Sequence, residues 1–432
     1  MNTNVLDMRR IQSVKGEIWL PGSKSLSNRH LLMAAMAKGT TRLSNLLVSE
    51  DTERMLDALT RLGIHVALDQ EQNTCVVKGL GGKFQAQAAP TQLFLGNAGT
   101  AIRPLTAALA LTEGEFLIDG DDAMRERPIG PLVDALRQLG VHITYPVREG
   151  YPPLALIGGA FDHDTTELDG SLSSQYLTAL LMALPLADRD TVIHIRGEMV
   201  SLPYIDMTLA VLARYGLKVR HEDYRTFFIE GQQTPISPGE MLVEGDASSA
   251  SYFMAAAAIR GEVTVRGVGT SSLQGDVAFS DVIEAMGAEV QRGPDYILVK
   301  SGSALRGVDL DLNHIPDAAM TLATLALFAE GTTRIRNIYN WRIKETDRMT
   351  AMATELRKVG AQVDTTDDSI AITPQSAPRR AQIATYGDHR MAMCFSLLAM
   401  SDAGVMIENP AVTAKTFPGY WAALDSIAEF QR

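Results

Sequence analysis

The sequence predicts an α/β protein of two domains, built from six copies of one structural unit with three copies in each domain. Three observations lead to this fold class. Segments rich in Ala, Leu and Met recur six times, glycines recur at intervals of 71 to 77 residues, and each end of the chain lacks what the other end supplies. Repetition at a nearly constant period is typical of a chain assembled from similar supersecondary units.

Six helices are predicted to be buried. Each begins with a small polar cluster and continues for about a dozen mostly apolar residues. The starts are Ser23-Lys24-Ser25, Asn97-Ala98-Gly99-Thr100, Ser171-Leu172-Ser173-Ser174, Asp246-Ala247-Ser248-Ser249, Pro316-Asp317-Ala318 and Gly387-Asp388-His389-Arg390. Five of the six segments are closed by a glycine, at Gly39, Gly114, Gly261, Gly331 and Gly404. The polar residues are expected to cap the helix N-termini, and the glycines are expected to form left-handed C-caps.

A second series of glycines marks the ends of more amphipathic helices, each followed by a strand. Its members are Gly63, Gly140, Gly216, Gly287 and Gly360, which lie 77, 76, 71 and 73 residues apart, and 432 residues divided by six is 72. Each unit is therefore predicted to run buried helix, strand, amphipathic helix and two strands. In the fifth unit we expect a strand over 332–338, a helix over 345–359, and short strands over 362–364 and 369–372.

The chain ends predict the domain boundaries. The sixth unit stops after a helix over 420–430 and lacks its closing strands, whereas extended segments around 10–14 and 17–20 belong to no unit. Residues 1–22 are therefore expected to join residues 243–432 in a discontinuous domain, with residues 23–242 as an inserted domain. The N-terminal strands would complete the last unit, and the active site would lie in the cleft between the domains.

The composition narrows the class of ligand and the cellular compartment. The chain has 39 Lys and Arg against 51 Asp and Glu, a net charge of −12, which argues against non-specific binding to nucleic acid or to an anionic membrane. The two cysteines are far apart, the histidines have no metal-ligand spacing, and no segment resembles a signal peptide or a membrane span. We therefore expect a cytoplasmic protein without a metal site.

Several helix starts carry cations, although the protein as a whole is acidic. Backbone N–H groups and the helix dipole already favour an anion at such positions. The cations are Lys24, Arg29, Arg103, Arg125, Arg127, Arg342, Lys344, Arg348, Arg390 and Lys415, together with His389. If the six units pack around a quasi-symmetric axis, these positions converge, and the expected ligand is small and carries several negative charges.

The same residues also have structural explanations that the sequence leaves open. A lone Lys or Arg near a helix start is usually a solvated surface charge. Asp317 could cap a buried helix, and Glu345 could complement a helix dipole from the first turn. His389 beside Asp388 could be a satisfied structural pair.

Six segments of the chain resemble the motifs of one enzyme family. They are L-P-G-S-K-S-L-S-N-R at 20–29, L-G-N-A-G-T-A-I-R-P at 95–104, R-E-R-P-I-G at 125–130, E-G-D-A-S-S-A-S-Y at 244–252, N-I-Y-N-W-R-I-K-E-T-D-R at 337–348 and G-D-H-R-M-A-M at 387–393. Together they resemble the 5-enolpyruvylshikimate-3-phosphate synthase family nearly end to end. The resemblance implies the enolpyruvyl-transferase fold, an inside-out α/β barrel of two domains, each with three βαβαββ units.

The resemblance also implies a reaction. The family transfers the carboxyvinyl group of phosphoenolpyruvate to the 5-hydroxyl of shikimate 3-phosphate and releases phosphate through a tetrahedral intermediate. This step belongs to the shikimate pathway, which leads to chorismate and the aromatic amino acids. The resemblance implies no metal or organic cofactor and a monomer. It also implies inhibition by glyphosate, because Gly99 has no side chain that would crowd the phosphonate of that inhibitor.

The resemblance assigns roles to residues of this chain through its motifs. Asp317 is expected to take the proton of the 5-hydroxyl, and Glu345 or Lys24 is expected to protonate the methylene carbon of phosphoenolpyruvate. The residues implied for shikimate 3-phosphate are Lys24, Ser25, Arg29, Ser173, Ser174, Gln175, Ser201, Asp317, Asn340 and Lys344. Those implied for phosphoenolpyruvate are Lys24, Asn97, Gly99, Arg127, Gln175, Arg348, His389, Arg390 and Lys415.

One motif departs from the family pattern, and two other functions are considered. Leu202 stands where the family usually has a lysine. A sister enzyme that transfers enolpyruvyl to UDP-N-acetylglucosamine is expected to carry a reactive cysteine in a loop, whereas Cys75 and Cys394 lie in a predicted strand and a predicted buried helix. A non-catalytic anion-binding protein on the same scaffold would have little use for carboxylates such as Asp317 and Glu345 among its anion sites.

Overall fold

Two units share the chain: Met1–Pro21 with Glu244–Arg432, and Gly22–Val243. We call the first the terminal unit and the second the central unit. Both boundaries lie one residue from the predicted ones. The computed structural model describes residues 4–85 and 89–431.

The described chain begins with two strands of the terminal unit, β1 (Val5–Asp7) and β2 (Ile11–Trp19), and then forms the central unit. The first repeat contains α1 (Lys24–Met36), β3 (Lys38–Ser44), α2 (Glu50–Arg61), β4 (His65–Asp69) and β5 (Thr74–Leu80). The second contains β6 (Thr91–Phe94), α3 (Gly99–Ala110), β7 (Gly114–Asp119), α4 (Asp122–Arg125), α5 (Gly130–Gln138), β8 (His142–Thr144) and β9 (Leu154–Gly158). The third contains β10 (Thr165–Asp169), α6 (Ser174–Ala183), β11 (Thr191–Arg196), α7 (Pro203–Arg214), β12 (Arg220–Glu222) and β13 (Thr226–Ile229), and β14 (Glu240–Leu242) ends the unit.

The rest of the terminal unit follows in three further repeats. The fourth contains α8 (Ala247–Arg260), β15 (Gly261–Arg266), α9 (Phe279–Met286), β16 (Glu289–Arg292) and β17 (Tyr296–Lys300). The fifth contains β18 (Asp309–Asp311), α10 (Ala319–Leu325), β19 (Thr333–Arg336), α11 (Arg348–Lys358), β20 (Gln362–Thr365) and β21 (Ile370–Thr373). The sixth contains β22 (Gln382–Ile383), α12 (His389–Phe395), β23 (Met406–Glu408), α13 (Tyr420–Ile427) and β24 (Ala428–Phe430). Short 3₁₀ helices lie at Leu184–Leu186, Gly275–Ala278, Ala326–Phe328, Tyr339–Ile343, Ser396–Met400 and Pro410–Lys415.

The sheets confirm the repeat. In five sheets the first strand of the order pairs parallel with the second, the second pairs antiparallel with the third, and the third pairs antiparallel with the fourth. We call the first strand of each order its leading strand. The orders are β14-β3-β5-β4, β6-β7-β9-β8, β10-β11-β13-β12, β2-β15-β17-β16 and β18-β19-β21-β20. In the fourth repeat, β24 also pairs with β2. The sixth sheet, β22-β23-β1, has the same parallel and antiparallel neighbours for β23. The fold is therefore the predicted α/β fold of six repeats.

Strands from the two ends of the chain do pair with each other, but the prediction that both N-terminal strands join the last repeat is wrong. β1 pairs antiparallel with β23 and extends the sixth sheet. β2 is one continuous strand rather than two, and it pairs parallel with β15 as the leading strand of the fourth repeat. The predicted helix over 420–430 ends at Ile427, because residues 428–430 form β24 and pair with β2.

The two predicted classes of helix differ in burial as expected. In the first repeat, 12 of the 13 residues of α1 are buried, against 5 of the 12 residues of α2. The strand β4 exposes alternate residues, as an edge strand of a half-solvated sheet does. Within each unit the first helix of every repeat is therefore internal and the sheets lie outside. In the described part of the chain no helix is long and apolar enough to cross a membrane.

The glycines behave differently in the two series. Gly63, Gly140, Gly216, Gly287 and Gly360 all follow the amphipathic helices with φ between 78° and 116°, the left-handed conformation that was predicted. The prediction is wrong for three of the five glycines after the buried helices. Gly39 and Gly114 lie in β3 and β7, and Gly261 is the C-cap of α8 but has ψ of −158°. Gly331 and Gly404 do have left-handed φ values, 85° and 70°, but each lies beyond the 3₁₀ helix that follows α10 or α12.

Candidate active site

Arg348 is the centre of a buried charged cluster in the terminal unit. Its guanidinium donates from Nη1 to Asp317 Oδ1 at 2.8 Å, from Nη2 to Glu345 Oε2 at 2.9 Å, and from Nε to Asp388 Oδ2 at 2.7 Å. The side chains of Arg348 and Asp388 are 1% and 0% exposed, so water does not screen this pair. One buried cation thus holds both carboxylates to which the sequence assigned proton transfer.

Three further cations surround the same carboxylates. Arg390 donates from Nη2 to the second oxygen of Asp317, Oδ2, at 2.9 Å. The ammonium nitrogen of Lys344 lies 3.9 Å from Asp317 Oδ1, and the ammonium nitrogen of Lys415 lies 3.9 Å from Glu345 Oε1. Both oxygens of Asp317 are therefore engaged by positive charges.

Helix starts bring these side chains together. Arg348 is the first residue of α11, whose N-cap Asp347 accepts a hydrogen bond from the Thr350 N–H at 3.1 Å. Asp388 is the N-cap of α12 and accepts a hydrogen bond from the Arg390 N–H at 2.9 Å. Asp388 therefore performs two tasks, capping one helix and holding the arginine that begins another.

The structure decides between the explanations that were open for Asp317 and Glu345. Asp317 is not a helix cap, because the N-cap of α10 is Ala318 and the Asp317 carboxylate bonds to arginines. The turn before it is held by the buried Trp341, whose Nε1 donates to the Pro316 carbonyl at 2.7 Å. Glu345 precedes α11 by three residues, so it is not a first-turn acid of that helix, and the prediction that the helix begins at 345 is wrong.

His389 lies beside the cluster as the first residue of α12. Its Nδ1 lies 3.4 Å from Asp388 Oδ1, and both side chains are completely buried. This contact agrees with the structural-pair explanation. A contact between His389 and a substrate stays a prediction.

The charges around Asp317 control its protonation. Burial alone would raise the pKa of this carboxyl, but the positive charges of Arg390, Lys344 and Arg348 outweigh burial and hold the pKa well below its usual range. For Arg348 the balance is reversed: burial would lower its pKa, but the surrounding carboxylates raise it. Asp317 is therefore ionised at neutral pH, as a base must be before it accepts a proton.

A second buried acid, Asp276, was missed by the sequence analysis. It accepts a hydrogen bond from the Ser248 hydroxyl at 3.0 Å. Burial raises the pKa of Asp276 to about 6, and the negative charge of Asp317 contributes to the rise. Asp276 lies in the 3₁₀ helix Gly275–Ala278 that precedes α9, and one aspartate in so short a segment forms no pattern that could be recognised in the sequence.

Replacing Arg348 by methionine is expected to lower the free energy of unfolding by about 3–5 kcal/mol, because Asp388 would stay buried without its cation. Urea titration measures this loss. Arg334→Met is the matched control, since Arg334 lies in β19 of the same unit with its side chain 53% exposed, and we expect a change below about 1 kcal/mol there. Equal losses in the two variants would contradict the prediction.

In the central unit, Lys24 is the first residue of α1 and is only 9% exposed. Its ammonium nitrogen lies 3.4 Å from Asp51 Oδ2 near the start of α2. The N-cap of α1 is Ser23, as the capping pattern predicted. Asp51 was not predicted to take part, because acids in a first turn are common in any helix.

Arg29 is buried against neutral oxygen atoms. It donates to the hydroxyls of Thr208 and Thr178 at 3.0 and 3.3 Å, and to the carbonyls of Ser25 and Tyr204 at 3.0 and 3.4 Å. Burial lowers the pKa of Arg29 to about 10. The side chain links α1 to α6 and α7, so these three helices pack together within the unit.

Two further buried arginines connect the other helix starts of this unit. Arg127 donates from Nη1 to the side-chain and main-chain oxygens of Asn97, at 2.8 and 3.2 Å. Arg103 donates to the side-chain oxygen of Gln175 and, at 3.1 Å, to the Pro128 carbonyl. Arg103 was not among the predicted binding residues, although it follows its helix start by the same interval as Arg29, and this spacing was the signal that could have identified it.

Three of the four predicted serines, Ser173, Ser174 and Ser201, lie at the starts of α6 and α7. The Ser173 hydroxyl accepts a hydrogen bond from the Gln175 N–H as the N-cap of α6, and Ser174 is the first residue of that helix. Ser201 precedes α7 by two residues with a left-handed φ of 55°. Ser174 and Ser201 are 5% and 4% exposed, so neither is an ordinary surface serine.

The structure sorts the predicted site residues into two clusters. The terminal cluster contains Asp317, Lys344, Glu345, Arg348, Arg390 and Lys415, with His389 joined through Asp388 and the buried Asn340 in the 3₁₀ helix before Lys344. We call the predicted residues of the central unit the central cluster, and they lie at or near helix starts: Lys24, Ser25, Arg29, Asn97, Gly99, Arg127, Ser173, Ser174, Gln175 and Ser201. The terminal cluster combines cations with carboxylates and one amide, whereas the central cluster combines cations with hydroxyl and amide groups.

Comparisons with known proteins agree on one family. The family model of EPSP synthase (3-phosphoshikimate 1-carboxyvinyltransferase) matches residues 8–424. The chain is 56% identical over 426 residues to a 3-phosphoshikimate 1-carboxyvinyltransferase of Aeromonas salmonicida, covering 99% of each chain, and 57% identical over 424 residues to one of Shewanella woodyi, covering 98% and 99%. Among solved structures, an EPSP synthase of Acinetobacter baumannii superposes with a TM-score of 0.80 at 25% identity, covering 99% of both chains. The enolpyruvyl transferase NikO of Streptomyces tendae shares the fold, with a TM-score of 0.78 at 18% identity, covering 99% of this chain and 98% of that one.

Proposed function

Because the chain belongs to the EPSP synthase family, we infer that it has 3-phosphoshikimate 1-carboxyvinyltransferase activity and acts in the shikimate pathway. Its substrates are phosphoenolpyruvate and shikimate 3-phosphate, and its products are 5-enolpyruvylshikimate 3-phosphate and phosphate. The observation that carries the assignment of roles is the arrangement at Arg348, which hydrogen-bonds both Asp317 and Glu345. Two carboxylates held on one cation suit a reaction that moves two protons.

In the addition step, the oxygen of the 5-hydroxyl attacks C2 of phosphoenolpyruvate and its proton passes to Asp317. The methylene carbon C3 takes a proton and becomes a methyl group. Two residues are assigned as alternative donors of this proton, Glu345 and Lys24, because a carboxylic acid and an ammonium group can each act as a general acid. The product of the step is a tetrahedral carbon that bears the new ether, the carboxylate and the phosphate group.

In the elimination step, the bond between C2 and the phosphate oxygen breaks and the methyl group returns one proton. The group that protonated C3 is the natural acceptor, because the same atom loses the proton that it gained. The departing phosphate carries negative charge, and Arg127, Arg390 and Lys415 are assigned to stabilise it and the neighbouring carboxylate. A carbon–carbon double bond forms again, now in the enolpyruvyl ether.

The cations have a second task, which is to bring the substrates together. Each substrate carries a phosphate and a carboxylate, and four such groups repel one another strongly in a small volume. We assign Lys24 to both substrates, Ser173, Ser174 and Ser201 to the shikimate phosphate, and the remaining predicted residues as the sequence assigned them. Both units contain residues assigned to the substrates.

The thiols argue against the UDP-N-acetylglucosamine alternative. Burial raises the pKa of the Cys75 thiol to about 11 and that of the Cys394 thiol to about 12. A reactive cysteine needs an accessible site that lowers its pKa. Both cysteines are buried, which also supports the proposal of a reducing, cytoplasmic compartment.

A monomer is proposed from the family and is measurable by sedimentation.

Phosphate release tests the activity. The purified protein is mixed with phosphoenolpyruvate and shikimate 3-phosphate, each substrate is omitted in turn, and EDTA is added in a further control. We expect release that needs both substrates and continues in EDTA. UDP-N-acetylglucosamine in place of shikimate 3-phosphate should give none. Binding of shikimate 3-phosphate by calorimetry without any phosphate release would instead favour the anion-binding alternative.

Replacing Gly99 by alanine is expected to weaken phosphoenolpyruvate and glyphosate binding. A Cβ atom there would lie 2.6 Å from Arg103 Nη1 and 2.8 Å from Arg127 Nη2, so both guanidinium groups must shift while the helix itself tolerates alanine. We expect the glyphosate inhibition constant to rise more than about tenfold, and the KM for phosphoenolpyruvate to rise less. Gly82→Ala is the control, because no atom of residues 4–85 or 89–431 lies within 4 Å of a Cβ atom at Gly82. A wild-type inhibition constant already in the millimolar range would contradict this account.

A further inference from the structure

The cations assigned to phosphoenolpyruvate in the terminal unit are already paired with carboxylates. Asp317 accepts hydrogen bonds from Arg348 at 2.8 Å and from Arg390 at 2.9 Å, one on each of its oxygens. Lys415 lies 3.9 Å from Glu345. An anionic substrate that binds these arginines must therefore replace a carboxylate that the protein supplies itself.

Two arginines of the central unit show the opposite balance, although Lys24 of the same unit pairs with Asp51 at 3.4 Å. Arg29 and Arg127 are buried, and within residues 4–85 and 89–431 their hydrogen bonds go to hydroxyl, carbonyl and amide oxygens rather than to a carboxylate. A buried guanidinium without an opposite charge favours any anion that reaches it. Arg29 and Arg127 are thus electrostatically ready for an anion, whereas the phosphoenolpyruvate arginines of the terminal cluster are not.

We propose that the Asp317 carboxylate occupies the anion subsite at Arg348 and Arg390 before substrates bind, and that the 5-hydroxyl of shikimate 3-phosphate draws it away. This inference rests on the proposed function and deepens it. A carboxylate oxygen that accepts the substrate O–H shares its charge with that donor and binds its arginines less strongly. The arginines then become available to the carboxylate of phosphoenolpyruvate.

The same contact couples catalysis to substrate binding. When the proton of the 5-hydroxyl passes to Asp317, the residue becomes neutral and its attraction for Arg348 and Arg390 falls further. Both guanidinium groups can then stabilise the substrate carboxylate as the tetrahedral carbon forms. Asp317 is therefore both the base and an internal competitor of phosphoenolpyruvate, and it favours binding of shikimate 3-phosphate first.

Calorimetric titration with phosphoenolpyruvate alone tests the proposal, because no turnover occurs without the second substrate. We expect Asp317→Asn and Asp317→Ala to bind phosphoenolpyruvate at least about tenfold more tightly than the wild type, the factor that follows if Asp317 occupies the arginines in about nine molecules of ten. Affinity for shikimate 3-phosphate should not increase. Asp309→Asn is the control, since Asp309 is an exposed acid in β18 of the same unit.

A double variant locates the effect. Adding Arg390→Gln to Asp317→Asn should remove the gained affinity, because the released guanidinium is then absent. Thermal melting checks that each variant is folded. If folded Asp317→Asn and Asp317→Ala bind phosphoenolpyruvate no more tightly than the wild type, the inference is overturned. The proposed function is tested separately, by phosphate release from the wild type with both substrates, so failure of one is distinct from failure of the other.

Discussion

Replacing Lys24 by methionine is expected to abolish turnover, with kcat at least about 10³-fold below the wild type. Lys24 begins an internal helix, is 9% exposed, and pairs with Asp51 at 3.4 Å. Methionine has a similar length and fits an apolar helix, but it carries no charge and no proton. The variant therefore loses a cation assigned to both substrates and one of the two candidate proton donors. Steady-state phosphate release measures the effect.

Lys78→Met is the matched control for this variant. Lys78 lies in β5 of the same unit and is exposed, so the same substitution there changes the net charge equally without touching the cluster. We expect its kcat to stay close to the wild-type value. Near-normal turnover by Lys24→Met would remove Lys24 from the proposed mechanism.

Replacing Asp317 by asparagine is expected to lower kcat by roughly 10²–10⁴-fold, the usual contribution of a positioned general base. Asparagine has the shape of aspartate and still accepts hydrogen bonds, but it cannot take the proton of the 5-hydroxyl. Because Asp317 is held ionised by Arg390, Lys344 and Arg348, the wild-type base is ready at neutral pH. Rapid-quench measurement of the first turnover separates this chemical step from product release.

The KM for phosphoenolpyruvate distinguishes this role from a structural one. A variant that merely disturbed the cluster would bind both substrates less well. The expected Asp317→Asn enzyme combines slower chemistry with phosphoenolpyruvate binding that is not weakened. A kcat within about threefold of the wild type, where a base contributes at least about a hundredfold, would mean that another group accepts the proton.

Much of the fold could be predicted because it repeats. The six apolar helices and the glycines after the amphipathic helices depend on local rules, namely the polar N-cap, continuous burial and the left-handed C′ position. The structure confirms the buried helices and the left-handed glycines from Gly63 to Gly360, and it shows a polar N-cap on α1, α6, α8 and α12 but an alanine N-cap on α3 and α10. The long motifs added the family, which the comparisons confirm. The helix boundary at Arg348 and the strand β24 were missed, because a 3₁₀ segment and a partner strand override local propensity there.

The site could be predicted as a set of residues but not as a pattern of contacts. The sequence placed Asp317, Glu345 and Arg348 near helix starts, yet it left capping and dipole roles open for both acids. Asp388 is an example of what was hidden: its neighbours along the chain suggest a pair with His389, but its strongest contact is with Arg348, forty residues earlier.

The sequence alone therefore determines the repeat, the family and the identity of the charged groups, because helix periodicity, capping and motif spacing are local properties of a chain. Pairing between distant charges is not local. Which carboxylate holds which arginine depends on the packing of α10, α11 and α12 and on burial that makes each ion pair costly to leave unpaired. Only the folded chain shows that Asp317 occupies both Arg348 and Arg390, while Arg29 and Arg127 face neutral oxygens.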